Sequence, residues 1–135
     1  MSLLRRAFVF VFAIALVGML RAEDAITTGS SNGIPYASGG IGLDSRDALL
    51  AKKAEYNLMV ILSLKNGHYL KNSLISMHNH AGETVFRINA KGPWVFVKLS
   101  PGTYTVEATA RNATRKSQVH IGKGKELKRV LLMWT

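Results

Sequence analysis

Two histidines separated by a single residue are the clearest candidates for chemistry in this sequence. His78 and His80 lie in SLISMHNH (73–80), which alternates apolar and polar residues as a β-strand does. Residues two apart in a strand share a face at about 6.5–7 Å, so two imidazoles could chelate one metal ion. A metal site needs further ligands, and the spacing of the other histidines supplies none. The alternative is that Ile75 and Met77 face inward and both histidines face water.

Basic residues form a second candidate site, an anionic-partner patch close to the end of the sequence. Seven lysines and arginines lie in the last 25 residues: Arg111, Arg115, Lys116, Lys123, Lys125, Lys128 and Arg129. Such a patch could bind lipopolysaccharide, an anionic lipid or an acidic partner. The alternative is that these charges keep the protein soluble and protect edge strands from aggregation. Nucleic acid is not expected, because the aromatic residues are not interleaved with the basic ones as base stacking requires.

Two tryptophans form a third candidate site. An exposed Trp94 or Trp134 could stack on a sugar ring, as in carbohydrate-binding modules. The alternative is packing, because Trp94 follows a Gly-Pro turn and Trp134 ends a predicted strand. For catalysis the sequence offers no cysteine, no G-x-S-x-G nucleophile elbow and no Ser/His/Asp set in a recognisable context. It therefore predicts no catalytic residues, no cofactor and no enzymatic activity.

These residues must be positioned by β-strands, because short alternating or apolar runs separated by turn residues fill the second half of the sequence. The predicted strands are 56–64, 73–80, 84–90, 94–99, 103–110, 116–121 and 126–134. In TYTVEATA the alternation is clean, and Pro101-Gly102 supplies the preceding turn. The residues expected in the core are Ile61, Val97, Leu99, Tyr104 and Val106. The regular spacing predicts a mainly-β, antiparallel seven-stranded sandwich rather than an α/β fold.

The N-terminal region precedes these strands and has three parts. A signal peptide over 1–22, cleaved after Ala22, is indicated by the basic start MSLLRR, the apolar run of fourteen residues that follows and the return of polar residues in RAED. The alternative is an uncleaved membrane anchor. Cleavage removes three of 18 basic residues and none of 8 acidic ones, so the net charge falls from +10 to +7. The glycine-rich and serine-rich segment 23–43 predicts a flexible arm, which could instead dock through Ile34, Tyr36 and Ile41. Asp44 begins a predicted short helix over 44–55.

One longer stretch resembles a known family. PWVFVKLSPGTYTVEATA, preceded by MHNHAGETVF, is similar to the carboxypeptidase regulatory-like domains, although RNATRK replaces the Gly-aromatic pair that usually follows. The resemblance covers residues 57 to about 134 and implies one domain over 56–135. It also implies a Greek-key sandwich of transthyretin (prealbumin-like) or immunoglobulin-like topology. Such domains are accessory modules of exported proteins, and the short stand-alone form looks like those of Gram-negative bacteria.

Three functions of different classes follow from these patterns. The first is a non-enzymatic accessory or interaction module of the periplasm or cell envelope, with an envelope protein or anionic envelope component as partner. The second is a carbohydrate or envelope-glycan binding module that uses exposed aromatic residues. The third is a small hydrolase or metal-dependent enzyme, which no group of residues in the sequence supports. Absence of cysteine favours a bacterial periplasm, because the exported product cannot rely on disulfides.

Overall fold

The computed structural model describes residues 26–68, 70 and 72–135. The predicted signal peptide, 1–22, and the first residues of the predicted arm therefore lie outside the described residues. Two strands precede the one α-helix described, and seven strands follow it. In chain order the elements are β1 (Thr27–Ser31), β2 (Ile34–Gly39), α1 (Leu43–Ala51), a 3₁₀ turn (Lys53–Glu55), β3 (Leu58–Leu64), β4 (Ser73–His78), β5 (Thr84–Ala90), β6 (Trp94–Val97), β7 (Gly102–Ala110), β8 (Ala113–Ile121) and β9 (Lys128–Trp134).

The strands form two sheets, which confirms the mainly-β sandwich class with one short helix. The larger sheet has the order β1-β2-β6-β3-β9, and the smaller has the order β5-β4-β7-β8. All seven strands predicted from the sequence are present, although β8 begins at Ala113 rather than at 116. Within the described residues the number of strands is nine rather than seven. The sheets are also not wholly antiparallel, because β3 and β9 run parallel.

The two additional strands correct the prediction of a flexible arm. Residues 27–39 form a hairpin whose two-residue turn places Asn32 at φ 52° and Gly33 at φ 80°. Positive φ at both turn positions matches the right-handed twist of paired strands, and Asn-Gly adopts this turn readily. The strand β2 then pairs with β6, so the hairpin extends the larger sheet. The docking alternative holds for Ile34 and Tyr36, which pack on the core, whereas Ile41 stays exposed.

Side chains at the tip of this hairpin also reach the other sheet. The Ser31 hydroxyl accepts a hydrogen bond from the Arg87 amide and donates one to the Arg87 carbonyl, both at 3.0 Å. Tyr36 meets Phe86 edge to face, with ring centroids 5.7 Å apart. Arg87 and Phe86 belong to β5, the edge strand of the smaller sheet. The hairpin therefore adds two strands to the larger sheet and contacts the edge strand of the smaller sheet.

The helix is shorter than predicted, and Asp44 does not cap it. Gly42 occupies the N-cap position without a side-chain hydrogen bond, and Asp44 lies in the first turn, where a carboxylate favours the positive helix end. Before the helix, the Gly40 amide donates to the Ser45 hydroxyl at 2.7 Å, which fixes the entry of the chain. The helix covers the outer face of the larger sheet, where Leu49 packs in one cluster with Phe96.

The main core lies between the two sheets and confirms most of the predicted buried residues. Val97, Leu99 and Val106 are buried. Ile61 is only partly buried, because β3 turns alternate side chains to opposite faces and Ile61 joins the outer cluster beneath the helix. Tyr104 is also only partly buried, since its hydroxyl reaches out to donate to the Ser100 carbonyl at 2.8 Å.

Candidate functional site

The two candidate metal-binding histidines do not share a strand. β4 ends at His78, and the chain then turns because the Asn79 carboxamide oxygen accepts hydrogen bonds from the amides of Ala81 and Glu83. His80 therefore lies in an exposed turn instead of two positions further along the strand. Among residues 26–68, 70 and 72–135, no three metal-ligating side chains lie close enough to hold an ion.

Both ring nitrogens of His78 are occupied by hydrogen bonds across the smaller sheet. Nε2 lies 3.0 Å from Glu107 Oε2, and Nδ1 lies 3.0 Å from the Thr84 hydroxyl. Lys116 Nζ is 3.0 Å from the other carboxylate oxygen of Glu107. Hydrogen bonds from His78 and then from Lys116 hold the pKa of the Glu107 carboxyl below its usual value.

This hydroxyl–imidazole–carboxylate series resembles the hydrogen-bond order of a hydrolase triad. Thr84, His78 and Glu107 lie, however, on the outer face of a sheet, and none of them lines the three pockets described below. A nucleophile also needs donors that stabilise the developing oxyanion, held around a bound substrate. The arrangement therefore accounts for cross-strand stabilisation of the smaller sheet, because it joins β5, β4 and β7.

The predicted anionic-partner patch is divided by the fold. The strand β8 has nine residues, which corresponds to about 30 Å, so Arg111 and Lys123 lie at opposite ends of the sandwich. Arg115 donates through Nε to the Met133 carbonyl at 2.9 Å and lies over the Trp134 ring. Lys116 is bound to Glu107, and Lys128 lies 3.7 Å from Glu126. Arg129 is opposite Met59 on the outer face of the larger sheet. Of the seven basic residues, Lys123 and Lys125 are the two that lie in the β8–β9 loop.

Neither tryptophan offers an open ring face for a sugar. Trp134 is 2% exposed, and its indole nitrogen donates to the Ala113 carbonyl at 3.0 Å. Trp94 is partly buried, with the Arg46 guanidinium 5.1 Å from the ring centroid. Gly40 leaves so little space beside Trp94 that an added Cβ would lie 2.9 Å from the ring. The packing alternative is thus the one that the geometry favours for both residues.

Five connections meet at one end of the sandwich, which we call the loop end. In the larger sheet, Val97 at the end of β6 pairs with Tyr36 near the start of β2 and with Leu58 at the start of β3. The end of β4, the start of β7 and the end of β8 lie beside one another in the smaller sheet. The connections that form the loop end are therefore 32–33, 52–57, 79–83, 98–101 and 122–127.

The larger of two neighbouring pockets at the loop end, the lysine pocket, has a volume of about 430 Å³. Its charged lining residues are Lys98 and Lys123, with no acidic side chain among them. Neither lysine forms an ion pair within the part of the chain that the structure describes. The remaining lining residues are Gly33, Ile34, Pro35, Asn57, Leu99, Ser100, Pro101, Gly122 and Gly124.

The lysine pocket has a rigid floor and free backbone donors. The buried Asn57 carboxamide donates to the Leu99 carbonyl at 2.7 Å and accepts from the Leu99 amide at 2.9 Å. The Lys98 amide donates to the Pro35 carbonyl at 3.1 Å. The backbone amides of Lys123 and Gly124, by contrast, have no protein acceptor among the described residues. The lining therefore includes two lysines and two amides without a protein acceptor, which are groups that an anion can accept hydrogen bonds from.

The second pocket, the histidine pocket, lies on the other side of Pro101 and has a volume of about 330 Å³. Pro101 lines both pockets, so the two are adjacent. His80 forms no hydrogen bond or ion pair with another described residue, whereas the Thr103 hydroxyl lies 3.2 Å from His120 Nδ1. The lining residues are Asn79, His80, Ala81, Pro101, Gly102, Thr103 and Tyr104.

A third, smaller pocket of about 160 Å³ lies at the opposite end of the sandwich. Its lining includes Ser38 and Lys91. The Ser38 hydroxyl is buried and has no protein hydrogen-bond partner. A buried hydroxyl of this kind is commonly satisfied by one ordered water, and the volume is below the usual range for ligand pockets, about 300–1,000 Å³.

Comparison with known proteins identifies no family. No protein-family model matches the sequence, and no curated protein matches it either. The two-sheet architecture is thus what the structure establishes, and the resemblance to carboxypeptidase regulatory-like domains remains a proposal. Among the described residues, no helix is both long enough and apolar enough to cross a membrane.

Proposed function

We propose that the protein is an exported, non-enzymatic interaction module of the bacterial cell envelope that binds an anionic envelope component at its loop end. One observation carries this proposal: Lys98 and Lys123 line the same pocket, and no acidic residue lines it with them. Residues from distant parts of the sequence thus present unpaired positive charge in a concave site. A partly enclosed site of one charge sign concentrates counter-ions and accelerates the approach of a charged partner.

Assignment to the carboxypeptidase regulatory-like family is part of this proposal. The two-sheet sandwich supports it, together with the hairpin sequence PWVFVKLSPGTYTVEATA. The leader pattern of residues 1–22 supports export. Protein recovered from the periplasm should begin at Glu23, and N-terminal sequencing checks this. Recovery of the intact leader in the membrane fraction would replace export by membrane anchoring.

The two alternative functions receive less support from the structure. A glycan binder that stacks sugars on tryptophan needs an exposed indole face, and Trp134 is buried while Arg46 lies over Trp94. A hydrolase needs its nucleophile in a substrate pocket, and Thr84 lies on an open sheet face. Of the three pockets described above, the lysine pocket is the one that two lysines without an ion pair line together.

Vesicle co-sedimentation of the purified protein tests the proposal. We expect binding to vesicles that contain phosphatidylglycerol and no binding to phosphatidylcholine vesicles, with affinity falling as salt is raised. The double variant Lys98→Ala/Lys123→Ala should bind at least about tenfold more weakly, because each lysine near an anionic surface contributes about 1 kcal/mol. A matched control, Lys65→Ala/Lys91→Ala, removes two exposed lysines from the opposite end and loses the same net charge. Equal losses in the two double variants would refute a specific loop-end site.

A further inference from the structure

The chemistry of the two loop-end pockets differs although they share a wall. The lining of the lysine pocket includes two lysines, whereas the histidine pocket is lined by polar side chains without lysine, arginine or carboxylate and by the rings of Pro101 and Tyr104. Each volume falls within the range of about 300–1,000 Å³ that is usual for small-molecule sites. A ligand that spans Pro101 would therefore meet lysine side chains on one side and hydrogen-bonding groups without lysine or arginine on the other.

The lysine pocket suits a phosphate group. Lysine ammonium groups act as point charges and are common partners of phosphate groups in proteins, as are the bidentate guanidinium groups of arginine. The lining contains two lysines and no arginine. The unpaired amides of Lys123 and Gly124 add hydrogen-bond donors of the kind that phosphate oxygens accept.

The histidine pocket suits a ring that carries hydroxyl groups. The His80 imidazole has no partner among the described residues and offers two ring nitrogens, and the Thr103 hydroxyl keeps hydrogen-bonding capacity beside its contact with His120 Nδ1. The Tyr104 and Pro101 rings supply apolar surface, which packs well against the C–H groups of a sugar.

The wall between the pockets is held in place before any ligand arrives. The loop 98–101 is bound at Lys98 by Pro35, at Leu99 by Asn57 and at Ser100 by the Tyr104 hydroxyl. Three anchors on consecutive residues reduce the ordering that binding would otherwise require, so the loop that the two pockets share is preorganised.

We propose that the loop end binds a phosphorylated sugar, with the phosphate in the lysine pocket and the sugar ring in the histidine pocket. This inference rests on the proposed function, because it names the chemical class of the anionic component. The same chemistry is presented by a free sugar phosphate and by the phosphorylated sugar headgroup of an envelope glycolipid.

Calorimetric titration of the purified protein tests the inference, with glucose 1-phosphate as the probe and inorganic phosphate and glucose as the two halves. We expect glucose 1-phosphate to bind at least about tenfold more tightly than either half, a gain equivalent to about 1.4 kcal/mol. Lys98→Ala/Lys123→Ala should weaken both glucose 1-phosphate and phosphate at least tenfold. His80→Ala/Thr103→Val should bring glucose 1-phosphate to the affinity of phosphate and leave phosphate unchanged. Lys65→Ala/Lys91→Ala should change neither.

Two results would overturn the inference. The first is equal affinity for glucose 1-phosphate and phosphate in the unaltered protein, which would mean that the histidine pocket does not take the sugar. The second is unchanged affinity in Lys98→Ala/Lys123→Ala, which would place the phosphate elsewhere. If anionic vesicles still require the two lysines while glucose 1-phosphate fails to bind, the inference falls and the proposed function stands.

A competition arm separates the two sources of the sugar phosphate. Displacement of the protein from lipopolysaccharide by glucose 1-phosphate supports the inference and identifies the glycolipid headgroup as the source. Binding of glucose 1-phosphate by a protein that does not retain lipopolysaccharide supports the inference and identifies a soluble ligand.

Discussion

Replacement of Tyr36 by alanine tests whether the N-terminal hairpin is an integral part of the sandwich. The Tyr36 ring packs against the core and meets Phe86 at 5.7 Å, so it joins the hairpin to the smaller sheet. Loss of about 100 Å² of apolar contact removes about 2.5 kcal/mol at 25 cal/mol per Å². Loss of the edge-to-face contact removes about 0.5–1.5 kcal/mol more. We expect the free energy of unfolding to fall by about 3 kcal/mol and Tm to fall by about 12 °C.

Urea denaturation followed by circular dichroism measures this change, with Tyr36→Phe as the control that keeps the ring. We expect Tyr36→Phe to stay within about 1 kcal/mol of the unaltered protein, because only the hydroxyl is lost. Limited proteolysis should cut residues 26–33 faster in Tyr36→Ala than in Tyr36→Phe, since release of the hairpin exposes its backbone. A loss below about 0.5 kcal/mol in Tyr36→Ala would mean that the hairpin does not hold the sheets together, and the mobile-arm prediction would be restored.

Three further predictions concern the core, the charged cluster and a turn. Val106→Asp should leave the protein unfolded, because it places an unpaired carboxylate in a fully buried position; a circular dichroism melt close to that of the unaltered protein would show that the facing of β7 is wrong. Since the pKa of Glu107 is lowered in the folded protein, its ionised form stabilises the fold above the ordinary pKa of 4.5, and this contribution is lost as pH falls through the lowered value. Glu107→Gln should therefore lower the free energy of unfolding by about 0.5–1 kcal/mol at pH 7 and make it fall less steeply below pH 4.5. Urea denaturation at several pH values measures this, and the same steepness in the variant and the unaltered protein would contradict it. Asn112→Gly should raise stability by about 0.5–1 kcal/mol in the same assay, because Asn112 has φ 61° in the β7–β8 turn, and a loss of stability would show that the turn is not strained.

Local sequence pattern predicts the seven strands after the helix, and it also contains a signal for the N-terminal hairpin 27–39. Alternation in TYTVEATA and the apolar run of 56–64 depend on neighbouring residues, so both strands form where the pattern places them. The glycines and serines of 23–43 favour disorder by their composition. Asn32-Gly33 is, however, a strong local signal for a hairpin turn. What the sequence could not provide is the partner of β2, because β6 lies about sixty residues further along the chain.

The candidate site was harder to predict, because its residues come from separate loops. Lys98 lies in the predicted strand 94–99, whereas β6 ends at Val97 and leaves Lys98 in the loop. Grouping basic residues by density in the sequence joined Lys123 to Arg111, which the length of β8 separates. The pairing of Glu107 with Lys116 was more accessible, since a two-residue turn at 111–112 sets that register.

The parallel pairing of β3 with β9 has a consequence for the order of folding. Leu58 lies opposite Lys128, and Leu64 opposite Trp134, so each partner is 70 residues further along the chain. A parallel pair cannot be closed by a hairpin, and contacts this distant in sequence make folding slow. Until β9 is available, β3 has an open edge and its inward side chains lack the cover of Trp134. A chain synthesised from its N-terminal end therefore lacks a finished core until β9 has been made, and a chain without a finished core is compatible with the export proposed above.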